Sequence, residues 1–202
     1  MKKKVLTEII KILVLIFFSI CLSLFTLYYS IGSFHHSMFF SYFEQPLIII
    51  LNFMPILLTV FLFYCIFKRT SLSVLLSSLI YLPLTIVNHL KLALRNDPLL
   101  MEDFMYIKEA LNIQQNYTLN FRKGMYLTIF LCLLLTVALY FIFDRKKEKT
   151  KITKKDLILR CSSALIILTI SSIGFSKFYL NSNVYTKISN TELINIWSDT
   201  HQ

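Results

Sequence analysis

The sequence predicts an all-α, polytopic membrane protein of about five transmembrane helices, with its amino terminus inside and its carboxyl terminus outside. Three observations predict it. Apolar residues make up 56% of the 202 and charged residues 16%, whereas about a quarter of a soluble domain is charged. The apolar residues fall in five long blocks, each able to cross roughly 30 Å of hydrocarbon as a helix rising about 1.5 Å per residue. Lysine and arginine are spread unevenly over the connections, as an oriented membrane protein requires.

The blocks run near residues 9–29, 47–67, 72–92, 126–143 and 157–178. Lys2, Lys3 and Lys4 precede the first, as in a secretory signal. It is too long for a signal's apolar region, however, and no small-x-small cleavage site follows. Phe18-Ser19-Ile20 before Cys21 also lacks the small residue of a lipoprotein signal, so the block is an uncleaved first helix. Pro55 and Pro83 lie inside the second and third spans and are expected to kink them. The fourth span holds twelve Leu, Ile, Val or Phe between Leu127 and Phe143 and no charge, which favours insertion by several kcal/mol. Arg160 in the fifth would cost ~2.5–3.5 kcal/mol at mid-bilayer, but it lies one turn inside and can snorkel outward. Helix is expected throughout, because each span must satisfy its own backbone in lipid. The spans present few faces of small residues at four-residue spacing, which leaves their packing open.

The net charge of +10 suggests nucleic acid or another acidic partner. Topology accounts for it instead. With the amino terminus inside, twelve Lys or Arg fall on that side, including the run over 145–155, and seven on the other. That asymmetry is an orientation signal, and no nucleic-acid partner is expected. Cys21, Cys65, Cys132 and Cys161 all lie within spans without metal-ligand spacing, and are expected as buried apolar thiols.

The first external connection, residues 32–45, is dense in aromatics (Phe34, Phe39, Phe40, Tyr42, Phe43) and reads as a segment at the headgroup level. His35 and His36 are adjacent, so they do not share a helix face for chelation. The second connection is more informative. If the third helix continues to Arg95, then Asn88, Lys91 and Arg95 are spaced i, i+3, i+7 on one face at the outer interface. Asp97-Pro98 then breaks the helix. Asp103 is placed to cap a short amphipathic helix over 104–114, with Phe104, Ile107 and Leu111 on its apolar side and Lys108 opposite. Three readings of the cations stand side by side. They snorkel at a helix end. They receive a lipid phosphate with help from Asn88, since two cations and amide donors suit a phosphodiester. Or they pair with Asp97, Glu102 or Asp103 as a structural clasp.

The pattern Asn88-x-x-Lys91-x-x-x-Arg95-x-Asp97-Pro98, followed by Asp103-Phe104 and Glu109-Ala110, resembles the N-terminal membrane region of the lipoteichoic acid synthase family. The five spans, the outward carboxyl terminus and the tail around Asn195-Ile196-Trp197 resemble that region too, although only residues 88–110 are specific. The resemblance implies a sulfatase-type phosphoglycerol or phosphoethanolamine transferase in a bacterial plasma membrane. In that family a separate extracellular domain carries a threonine nucleophile and Mn or Mg. The residues read for that function are Asn88, Lys91 and Arg95 for the lipid headgroup, with Asp97, Pro98, Glu102, Asp103 and Glu109 as the alternative structural clasp. The resemblance also implies phosphatidylglycerol as the lipid partner, and a fused or separate catalytic domain. Residues 1–178 would be the membrane domain and 179–202 the start of a linker. No catalytic site and no cofactor are expected within these 202 residues, which read as a truncated module. The alternative is a stand-alone transporter subunit or assembly factor. Against it, polar residues near mid-span are few (Asn52, Thr59, Ser77, Ser78) and no acidic residue sits deep in a span.

Overall fold

The computed structural model describes residues 2–32, 39–40, 42–44, 46–95, 99, 103, 122–145 and 154–179. They form five long helices: α1 (Lys2–Leu27), α2 (Pro46–Phe67), α3 (Thr70–Arg95), α4 (Lys123–Leu139) and α5 (Lys154–Gly174). Three of them widen into a π turn at the carboxyl end, over Tyr28–Gly32, Tyr140–Asp144 and Phe175–Tyr179. All five are long and apolar enough to cross a membrane, over Val5–Ser30, Pro46–Phe67, Thr70–Ala93, Lys123–Asp144 and Lys154–Phe178. α1 starts about two turns before its apolar block and the others within a turn of theirs, because the backbone hydrogen bonds continue once the chain leaves hydrocarbon. The expected helix over 104–114, His35, His36 and the tail beyond Tyr179 lie outside the described residues.

The helices alternate in direction. Contacts between the start of α1 and the end of α2, and between the start of α3 and the end of α4, define one end of the bundle, called the near end here. The ends of α1 and α3 meet the start of α4 at the far end. α1, α2 and α3 pack mutually as a triangle, α4 lies against α3, and α5 lies against α2. Leu15, Phe18 and Leu22 of α1 meet Ile56, Val60 and Tyr64 of α2 and Val74 and Leu82 of α3, and Leu139 of α4 closes the cluster. α3 is the hub: 44% of its span is enclosed by protein, against 6% for α4 and α5. The outer faces of α4 and α5 are apolar and exposed, as lipid-facing surfaces should be. Cys21 and Cys161 also lie on exposed faces, so their thiols point out of the bundle rather than into its core.

The hub helix is not the most apolar. Its enclosed face carries Thr70, Ser73, Ser77, Thr85 and His89, so the sequence reading of few small-residue faces misses one on the central helix. Small hydroxyl residues let neighbouring backbones approach, and packing replaces the hydrophobic drive that is absent in lipid. Both prolines lie within unbroken helices. At Pro55 the proline's own carbonyl accepts from Thr59 Oγ1 at 2.8 Å, and the same hydroxyl lies 3.0 Å from Tyr81 Oη, which ties α2 to α3 at mid-span.

Polar contacts fix the near end. Asp144, in the π turn after α4, is buried, and its Oδ2 accepts from the Ser71 amide at 2.9 Å and from Ser71 Oγ at 2.6 Å. The first amides of a helix have no partner within it, and the positive end of the dipole favours an anion. Asp144 thus caps α3 from another helix. Tyr64 Oη donates to Glu8 Oε2 at 2.8 Å, and Lys11 pairs with Glu8 at 2.6 Å. Arg160 Nη1 reaches the Ile66 carbonyl at 3.4 Å, so it turns toward the near end as snorkelling requires and meets the negative end of α2. α2 and α3 are joined by Lys68 and Arg69 alone. Lys68 takes φ of 53°, and its amide bonds the Tyr64 carbonyl at 2.8 Å, in the left-handed position where glycine is usual.

Two outcomes follow for the purified chain in detergent. Asp144→Ala strands the Ser71 amide and hydroxyl and lowers stability by about 1–3 kcal/mol, with Asp144→Asn intermediate, as read by thermal unfolding. Lys68→Gly removes a left-handed penalty of roughly 1–2 kcal/mol, partly offset by glycine's extra freedom in the unfolded chain, and raises the unfolding midpoint.

Candidate functional site

The described polar groups that converge at the far end come from three helices. α3 stays helical to Arg95, as the spacing of Asn88, Lys91 and Arg95 requires, so the three do share a face. Asn88 is half-buried and works in both directions. Its Nδ2 donates to Ser30 Oγ at 3.0 Å, and its Oδ1 accepts from the Leu99 amide at 2.7 Å. Lys91 Nζ lies 2.8 Å from Asp103 Oδ2, with only 12% of the lysine side chain exposed. A helical turn of α3 thus grips the following connection at two points, Leu99 and Asp103. This is the clasp geometry for Asp103. Arg95 ends the helix, and its side chain lies outside the described residues, as do Asp97, Pro98, Glu102 and Glu109.

Next to Asn88, His89 is 3% exposed, and its Nδ1 lies 3.0 Å from the Tyr29 carbonyl. A carbonyl only accepts, so Nδ1 carries a proton. That bond gives a partner to one of the unpaired carbonyls where α1 ends in its π turn. The Tyr29 ring stands edge-on to His89 at 5.6 Å and tilted to Phe25 at 4.7 Å, which fixes its direction. Tyr28 continues the aromatic contacts outward to Phe39, and Phe39 to Phe40 and Phe43, at 5.2–5.7 Å. Phe39, Phe40 and Phe43 of the first connection therefore gather beside the end of α1.

Tyr29 reaches across to the start of α4. A Cβ at Gly124 would collide with the Tyr29 hydroxyl. Glycine is needed here for space, because the φ is ordinary. Arg122, at the N-cap, lies close enough to Tyr29 and His89 to interact with both electrostatically. The Arg122 side chain makes no cap bond to α4, and the first turn of α4 contains no acid. Among the described residues the far end therefore carries Lys91 on α3, paired with Asp103, and Arg122 and Lys123 at the start of α4.

Sequence reasoning found Asn88, Lys91 and Asp103 and missed Tyr29, Ser30, His89, Arg122 and Gly124. The partners of a helix end on another helix leave no local pattern. The one usable signal was Gly124, one of three glycines in the chain, placed at the head of an apolar block. Among the described residues no three His, Cys, Asp or Glu side chains come together to hold a metal.

Gly124→Ala should push the Tyr29 ring from its place and cost about 1–3 kcal/mol of stability, as overpacking does. Gly124→Ala combined with Tyr29→Phe, which removes the clashing oxygen, should recover most of that loss in thermal unfolding.

Comparison with known proteins adds no relative: no family profile, curated protein or solved structure matches the chain. The resemblance over residues 88–110 therefore rests on those residues alone. By the length and composition of its helices, the chain is a multi-pass helical membrane protein.

Proposed function

We propose that the chain is the membrane-anchoring module of an anionic-polymer synthase of the lipoteichoic acid synthase type, and that its far end meets phospholipid headgroups in a bacterial plasma membrane. The observation that carries the reading is the convergence of Asn88 and Lys91 on one face of α3, at the end where Arg122 and the start of α4 also lie. A phosphodiester takes cations and amide donors together, and that end of the bundle offers both. Phosphatidylglycerol is the lipid the reading favours, because its headgroup keeps a net negative charge. In this reading the transfer chemistry, with its metal, belongs to a sulfatase-type domain fused to or associated with the module. The module's own work is to anchor that domain and present the lipid.

Lys91 would serve two partners in turn. Its pairing with Asp103 keeps an otherwise buried ammonium neutralised, and an arriving phosphate oxygen would take the carboxylate's place at similar distance. Asn88 is the less exchangeable member, since both of its ends are engaged within the protein.

A second reading has one observation in its favour. The enclosed face of α3 is lined with hydroxyls from Thr70 to Thr85, more polar than an anchor needs. A stand-alone transporter subunit or assembly factor would use such a face.

One experiment separates the two. The full chain in nanodiscs of mixed phosphatidylglycerol and phosphatidylcholine should retain the anionic lipid preferentially on extraction. Lys91→Gln with Arg95→Gln should cut that enrichment several-fold at unchanged folding. Equal retention by the wild type and the double variant would remove the headgroup reading.

A further inference from the structure

Where α4 lies against α3, the two helices leave a groove of about 170 Å³ between them. Leu79, Leu82, Pro83 and Ile86 of α3 line it, with Ile129 and Leu133 of α4. The surface it offers is hydrocarbon. Ser78 Oγ is enclosed beside the Cys132 thiol, and Thr136 Oγ1 donates to the Cys132 carbonyl at 2.8 Å. The groove is open toward lipid, where Leu79 is 66% exposed and Leu133 52%. A cavity of about 150 Å³ walled by such side chains takes a benzene ring, so this groove has room for a stretch of acyl chain.

The α4 wall continues beyond Ile129. Leu133, Ile129, Tyr126 and Arg122 follow one another at three- or four-residue spacing and form one stripe of the helix. That stripe ends at Arg122, the exposed N-cap residue, roughly 10 Å beyond Ile129 at about 1.5 Å per residue. On α3 the matching stripe runs through Leu79, Pro83, Ile86 and Leu90 to exposed Ala93, whose methyl group adds little bulk. The hydrocarbon of one leaflet is about 15 Å deep, so a chain hanging from the level of Arg122 reaches the groove.

We propose that the groove between α3 and α4 seats one acyl chain of an anionic phospholipid whose phosphate lies at Arg122. The inference rests on the headgroup reading above and adds the course of the lipid's tail. Charge selects the lipid. A zwitterionic headgroup carries an ammonium group beside its phosphate, and Arg122 and Lys123 repel it. Shape then holds the chain. Between two helices its carbons meet partner atoms on both sides, whereas on the outer face of α5 they meet them on one.

The test uses the full chain in nanodiscs containing phosphatidylglycerol or phosphatidylcholine with a photoreactive diazirine in the distal half of one acyl chain. Labelled residues are read by peptide mass spectrometry. The phosphatidylglycerol probe is expected to label Leu79 and Leu133 several-fold more than Leu165 and Ile166 on the exposed face of α5. The phosphatidylcholine probe is expected to label both pairs alike. Arg122→Gln should reduce the first pattern to the second, and Arg122→Lys, which keeps the charge, should preserve it. Even labelling by phosphatidylglycerol would overturn the proposal, while continued enrichment of that lipid would leave the headgroup reading standing. Equal groove labelling by the two lipids would also overturn it. So would protection of Leu79 and Leu133 from both probes, as a second copy of the chain seated there would give.

Discussion

A polar group within hydrocarbon must find its partner inside the protein, and here that demand falls mainly on α3. The helix is held at its start by a carboxylate from α4 and at its end by Asn88, His89 and Lys91, while Thr59 and Tyr81 join it to α2 at the middle. The other helices are arranged around these needs. α1 ends where His89 can use its carbonyl, α4 starts where Tyr29 leaves room for glycine only, and α4 ends where Asp144 reaches Ser71. Apolar contact fills the space between, but it does not choose the register. In lipid, apolar side chains are nearly as comfortable against acyl chains as against each other, so position along the helix is set by the polar pairs.

The five spans were legible because length and apolar content decide them, and neither depends on tertiary contacts. Their edges were less so. Lys2, Thr70 and Lys154 are helical although they fall outside the apolar blocks, since a helix continues as long as its backbone bonds do. The shared face of Asn88 and Lys91 could be read from spacing alone, given that α3 reaches Arg95. Asp144 could not. It stands at the edge of an apolar block, next to Arg145, and looks like an ordinary solvated end, whereas it is buried against a helix start more than seventy residues earlier. The hydroxyls of α3 were visible one by one as minor polar residues. Their importance comes from facing inward together, which only packing reveals.

The two ends of the bundle differ in chemistry. At the near end Glu8 takes Tyr64 and Lys11, and Asp144 takes Ser71, which together join four helices. Among the described residues the far end presents Lys91, paired with Asp103, and Arg122 and Lys123 at the start of α4. An anchor needs only the first arrangement. The second is what gives the headgroup reading its content, because cations beside a helix start attract anions.

The reversal between α2 and α3 bears on how those two helices sit in the membrane. With Lys68 and Arg69 as the whole connection and Lys68 already bent into the left-handed region, the two helices cannot take up separate positions. α3, weighed down by hydroxyls, a histidine and a proline, is among the least lipid-loving of the spans, whereas its partner α2 is among the most. A joint this short makes the two helices a single hairpin, so the greasier α2 always stands beside the more polar α3.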